Sequence, residues 1–145
     1  MLRVLPIPTV VTAVATVTTA MLGTAPPAQA HHSFAAQFDA NRPVTLEGTV
    51  TKVEWQNPHI WVYLDVAGPE GEIVAWECEG DNPNTLTRRG WTSESVEVGK
   101  PITIYGYQAR TGASICNGRT WVFGGQTVFA AANDGGPPAA PPEPE

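Results

Sequence analysis

"PVTLEGTVTKVEW", residues 43–55, decides the fold. Val44, Leu46 and Val50 share one parity, and Gly48 stands where a further side chain is expected. Val53 and Trp55 then fall on the opposite parity. A one-residue slip in a two-residue period, next to a glycine, is how a bulge or sharp bend in one long strand reads. The stretch that follows, "HIWVYLDV" (59–66), alternates without a slip: Ile60, Val62, Leu64 and Val66 face one way, His59, Trp61, Tyr63 and Asp65 the other. After the turn "GPEG", "EIVAWECE" (72–79) supplies a third strand and completes a meander.

"DNPNTLTRRGW" (81–91) predicts a short helix, with Asn82 as N-cap, Pro83 at the first helical position and Gly90 as the left-handed stop. Leu86 and Trp91 are its expected anchors. "GKPITIYGYQAR" (99–110) is a strand with Ile102 and Ile104 inward and Gly106 relieving a bend, and "RTWVFGGQTVFAA" (119–131) gives two short strands broken at Gly124 and Gly125. The order is that of an all-β, five- to six-stranded OB-like Greek-key barrel with one short helix between strands three and four. A small open β-sandwich would accommodate the same alternation.

The two ends of the chain read differently. Residues 1–30 carry one charge, Arg3, then the apolar, threonine-rich "VVTAVATVTTAMLG" and the helix-breaking "TAPPAQA". This is the pattern of a cleaved signal peptide, cut after Ala30, because a cut after Ala25 would place Pro26 just past the scissile bond. A retained anchor is the competing reading, but the run is interrupted by Pro6 and Pro8 and falls short of the ~20 apolar residues that span a bilayer. Residues 132–145 are rich in Pro, Gly and Glu, with no apolar side chain larger than Ala, and are expected to form a disordered tail. One domain, residues 31–131, remains. It is expected in the periplasm or outside the cell, with no membrane span after processing.

Export gives meaning to Cys78 and Cys116, the only two cysteines. An oxidising compartment lets them pair, and the chain-entropy estimate values a link closing about 38 residues at roughly 4 kcal/mol. Two unpaired thiols are the alternative. The net charge of −6 belongs to a chain with fourteen acidic and eight basic residues, and processing removes one of the basic ones. No basic stripe is left to neutralise phosphates, so nucleic acid and anionic lipid are poor partners.

The sequence holds no Gly-rich phosphate loop, no Cys-x-x-Cys pair and no nucleophile elbow. A serine hydrolase would have to draw its base from His59. Glu77, Glu79 and Asp81 could form a glycosidase-like carboxylate pair, but a solvated acidic strand end beside Arg88 and Arg89 is the commoner meaning of such a row. A non-enzymatic protein is therefore expected.

The histidines carry the sharper chemistry. If His31 opens the processed chain, its α-amine and imidazole can chelate one Cu(II), with His59 as a third nitrogen; nitrogen donors in a square arrangement suit that ion. Terminal amine, amide nitrogen and the His32 imidazole would also bind copper, without help from the fold. Asp39 and Asp65 are candidate oxygen ligands. The plainer alternative is an exposed terminus, with His59 merely capping its strand by bonding a carbonyl. On the outer row, Trp61 and Tyr63 could form an aromatic strip for a small molecule or protein partner, while Trp55, Trp76, Trp91 and Trp121 fill or cover the barrel.

The combination of "HHSF" after the leader, "VTLEGTVTKVEWQNPHIWVYLDV", "NPNTLTRRGW" and "GKPITIYGYQAR" resembles the family of small exported bacterial proteins called domain of unknown function 6152. The resemblance spans residues 31–131. It implies export and the extent of the domain, and it supplies no activity. The expectation is an exported binding module, with copper as its best-motivated ligand. A metal-free envelope interaction protein is the alternative, and a copper redox enzyme a third possibility.

Overall fold

A computed structural model describes residues 33–139, all of them within the second of the two units into which the chain divides, His31–Glu145. The leader call, residues 1–30, lies outside the described residues. The elements in chain order are α1 (Phe34–Gln37), β1 (Phe38–Glu54), β2 (Trp61–Ala67), β3 (Ile73–Glu79), α2 (Pro83–Arg88), β4 (Pro101–Ala109), β5 (Ile115–Phe123) and β6 (Gln126–Phe129).

The 17-residue β1 organises the sheet. Its first part pairs antiparallel with β4 and its last part antiparallel with β2, and Gly48 and Thr49 have partners on both sides, Ile102 and Pro101 on one, Val66 and Asp65 on the other. The expected slip is there as a register shift between Val50 and Lys52. Gly48 lies just before it, where a Cβ would come within 2.5 Å of the Asp65 carbonyl oxygen. The glycine thus permits close approach, and the bulge follows it. The sheet order β3-β2-β1-β4-β5-β6 closes on itself through a parallel pairing of Glu77, Cys78 and Glu79 with Ile115, Cys116 and Asn117. Five strands form a barrel-like ring in the OB order, with α2 between β3 and β4, as the sequence predicts. Cys78 and Cys116 are joined by a disulfide at the centre of the closing contact.

Inside the ring, Leu46, Val50, Ile60, Val62, Leu64, Ile102, Ile104 and Trp121 form the core, with Trp55, Trp76 and Trp91 packed against its margin. The α2 helix forms as its capping residues dictate: the Asn82 side chain accepts from the Thr85 N–H at 2.9 Å, Gly90 takes φ +88°, and Leu86 is buried. Trp91 packs edge-on against Phe123. Among the described residues no helix is long and apolar enough to cross a membrane.

An extra helical turn, α1, precedes β1 and seats Phe34 with Phe38 and Ala109, against Tyr107 and Ile115, in a second small core. Of the segment 132–145, expected to form a disordered tail, residues 132–139 are among those described, and polar contacts join them to β4 and β5. Arg119, buried in β5, donates to the carbonyls of Ala132 and Pro137 and to the Asp134 carboxylate. Thr120 donates to the Ala139 carbonyl and Tyr107 to that of Pro138.

Candidate functional site

Buried polar side chains gather where β3 and β5 meet. Glu79, Asp81, Asn117, Arg119 and Thr120 are all below a tenth exposed, and the Asp134 side chain joins them at 8%. Polar groups are buried at a cost unless they are paired, so each calls for a partner. Asp81 accepts from the Asn82 backbone N–H at 2.7 Å and faces Arg89 Nη1 at 3.3 Å. Arg89 also donates to the Phe129 carbonyl, tying the end of α2 to β6. Arg88 reaches only Thr85 in its own helix.

His59 sits at this end, directly after the cis Asn57–Pro58 peptide. Its Nδ1 lies 3.1 Å from the Gly80 carbonyl oxygen and 3.3 Å from Glu79 Oε1. The carbonyl can only accept, so Nδ1 donates to it. The plain expectation of a strand-capping bond to a carbonyl is met. The same bond is also how a metal-ligating imidazole is commonly held, with its second N–H fixed by a carbonyl or carboxylate.

The carboxylate row does not form a solvated strand end. Glu77 is exposed, whereas Glu79 and Asp81 are buried and face His59 and Arg89. The parity that places Glu77 and Glu79 on one face is correct. What sequence reasoning missed is the burial of Glu79, beside His59 and opposite Asn117 of β5.

Asn117 stands opposite Glu79 in the parallel pairing. Its Nδ2 donates to Asp134 Oδ2 at 3.1 Å, and its Oδ1 is buried with no hydrogen-bond partner. Asp134 in turn accepts the Phe34 backbone N–H on its carbonyl at 3.0 Å. A continuous series of contacts therefore runs from Phe34 through Asp134, Asn117 and Glu79 to His59. Asn117, Arg119 and Asp134 carried no signal in the sequence. Arg119 is the extra residue at a bulge opposite Tyr105 and Gly106, and the bulge turns both Arg119 and Thr120 toward the C-terminal segment.

His31 and His32 lie outside the described residues. Asp39 is engaged by Arg42 at 3.7 Å and by the Asn41 N–H, and Asp65 is exposed six residues along from His59. Among the described residues, no three His, Cys, Asp or Glu side chains converge as metal ligands.

The aromatic strip splits in two. Tyr63 donates its hydroxyl to Glu54 Oε2 at 3.1 Å, and Lys52, itself bound to Glu54, lies over its ring. Burial and then the Glu54 hydrogen bond raise the Tyr63 phenol above its ordinary range, while Lys52 and Tyr63 lower the Glu54 carboxyl. Trp61 is half-buried and lines a shallow cleft with Phe38, Ala109, Arg110 and Ile115.

The sequence model of a family described as "Family of unknown function (DUF6152)" matches residues 19–118. No curated protein matches the chain.

Proposed function

Because the chain belongs to the family of unknown function DUF6152, membership brings no activity with it, and we propose from its own residues that it is an exported, non-enzymatic binding module. Its ligand is a copper ion, held by the α-amine and imidazole of His31 after processing and by His59. The observation that supports this reading is the series of contacts that links Phe34 to His59 through Asp134, Asn117 and Glu79. His31 is three residues before Phe34, a reach of about 10 Å when extended.

Three further points support the proposal. The bond between His59 Nδ1 and the Gly80 carbonyl orients the ring in the way metal-ligating imidazoles are commonly held. The buried Asn117 Oδ1 is an unused acceptor at this end, suited to a donor arriving from the N-terminal segment. The Cys78–Cys116 disulfide is compatible with an oxidising compartment.

The test is a Cu(II) titration of the processed protein, its first residue confirmed by intact mass, beside His59→Ala and a form with one added N-terminal residue. Weaker binding in both variants is expected. Loss only with the added residue would reduce the site to terminal chelation by His31 and His32. Unchanged affinity in both would overturn the copper reading in favour of the metal-free one, in which the Trp61 cleft takes a small molecule or an envelope protein.

A further inference from the structure

Three side chains of β4 and β5 donate to three successive carbonyls of one short segment. Arg119 Nε donates to Pro137 at 2.9 Å, the Tyr107 hydroxyl to Pro138 at 2.9 Å, and the Thr120 hydroxyl to Ala139. Adjacent residues of a regular strand point to opposite faces. The bulge opposite Tyr105 and Gly106 is what lets Arg119 and Thr120 serve the same segment.

Pro137 and Pro138 have no N–H, so carbonyls are the only backbone polar groups they offer. Proline fixes its own φ and keeps the residue before it extended, so this pair favours the polyproline II conformation. In that helix three residues make one turn, and successive carbonyls point in different directions. Donors from two strands answer this: β5 serves Pro137 and Ala139, and β4 serves Pro138. Tyr107 also meets the Phe34 ring edge-on at 5.5 Å, so the domain itself helps to hold the donor in place.

The segment has a separate anchor just upstream. Arg119 Nη1 donates to Asp134 Oδ1 at 2.9 Å and to the Ala132 carbonyl at 3.1 Å, and the Asp134 carbonyl accepts the Phe34 N–H at 3.0 Å. Two glycines follow, and Gly135 takes φ +79°, which glycine adopts without strain. Residues 137–139 can therefore leave while Arg119 keeps its carboxylate. No buried charge is stranded, and this part of the segment is exchangeable.

We propose that Tyr107, Arg119 and Thr120 form a docking site for a proline-rich segment of another protein, filled in cis by residues 137–139. The partner is a Pro-Pro-x stretch in the polyproline II conformation, because the site addresses carbonyls and proline needs no acceptor in return. Backbone carbonyls carry no side-chain identity, so these bonds do not restrict the site to the chain's own segment. Tethering gives that segment a high effective concentration, which an outside peptide must overcome. The site stands whether or not copper binds.

The probe is an end-blocked peptide of three Pro-Pro-Ala repeats, titrated into the His31–Glu145 chain and followed by amide NMR shifts. Pro137→Gly/Pro138→Gly keeps every carbonyl but loses the preset conformation, so the cis segment competes less well. The peptide is expected to bind this variant about tenfold more tightly than wild type and to shift the Tyr107 and Thr120 amides. Adding Tyr107→Phe, or in a separate variant Thr120→Val, removes one carbonyl donor and is expected to weaken binding about fivefold. The β2 amides check that each variant keeps its fold. A peptide with glycine in place of every proline is expected to bind about tenfold more weakly. Equal affinity of wild type and the double glycine variant would overturn the proposal. So would binding that ignores both donor deletions, equal binding of the glycine peptide, or no binding to the double glycine variant.

Discussion

Cys78 and Cys116 are direct partners in the parallel pairing of β3 with β5, with Cα atoms 4.6 Å apart. That pairing turns an open sheet into a ring, and it is only three residues long. The disulfide therefore joins the strands where backbone pairing is least extensive. Its loop spans a sequence separation of 38 residues, and removing such a link is expected to cost about 4 kcal/mol through the unfolded chain. Cys78→Ala/Cys116→Ala should accordingly unfold at a markedly lower urea midpoint than the oxidised wild type. Equal midpoints would mean that the ring closes without help.

The ion pair of Arg119 with Asp134 is almost fully enclosed, at 2% and 8% side-chain exposure. Breaking such a pair by removing one partner costs about 3–5 kcal/mol, since the survivor is left charged and dry. Asp134→Ala and Arg119→Met should each approach that loss in chemical denaturation, less whatever is recovered where water reaches the survivor once residues 132–139 come away. The double variant should cost clearly less than the two single changes together. Simple additivity would show that the two charges do not depend on each other.

The ring was legible in the sequence because its strands write their parity plainly. Leu46 and Val50 before the slip, and Ile60, Val62 and Leu64 after it, sit in the core as their alternation requires, with Val44 packed against it. The N-cap Asn82 and the stop Gly90 were equally local signals. The cover over the candidate site was not legible. Nothing in "SICNGRT" marks Asn117 and Arg119 as buried, yet a segment some fifteen residues further on bonds to both. Composition argued against that segment packing at all, since it has little apolar surface. It is held by backbone carbonyls, which any sequence can offer to a buried arginine, and by the one carboxylate of Asp134.

Tyr63 and Glu54 give a pH prediction with a definite sign. The folded phenol titrates above its ordinary value of 10.0, through burial first and the Glu54 bond second. The native state thus holds this proton more tightly than the unfolded chain. Its contribution to stability is complete below the unfolded value and fades as pH rises through the folded one. Glu54 runs the other way. Its carboxyl is lowered by Lys52 first and Tyr63 second, so its contribution is present above the ordinary carboxylate range and is lost as pH falls through the lowered value. Replacing Glu54→Gln should bring the Tyr63 phenolate absorbance transition down toward the ordinary value, with Tyr63→Phe as the blank. An unmoved transition would remove Glu54 from the explanation.

Two glycines that differ only in what lies beside them make the packing claim testable. A Cβ at Gly118 would overlap the indole nitrogen of Trp121 and come within 3.1 Å of Ile104 Cγ2. Both neighbours are fully buried in the ring and have no room to yield. At Gly68 the added atom would meet the carboxylate of Glu72, which is exposed and held there by one hydrogen bond from the Glu70 N–H, so it can swing aside at small cost. Gly118→Ala should therefore cost about 1–3 kcal/mol through overpacking and disturb the Trp121 fluorescence. Gly68→Ala should stay within about 0.5 kcal/mol of wild type. If the two behaved alike, Trp121 would have space that the packing denies it, and the filled interior of the ring would have to be reconsidered.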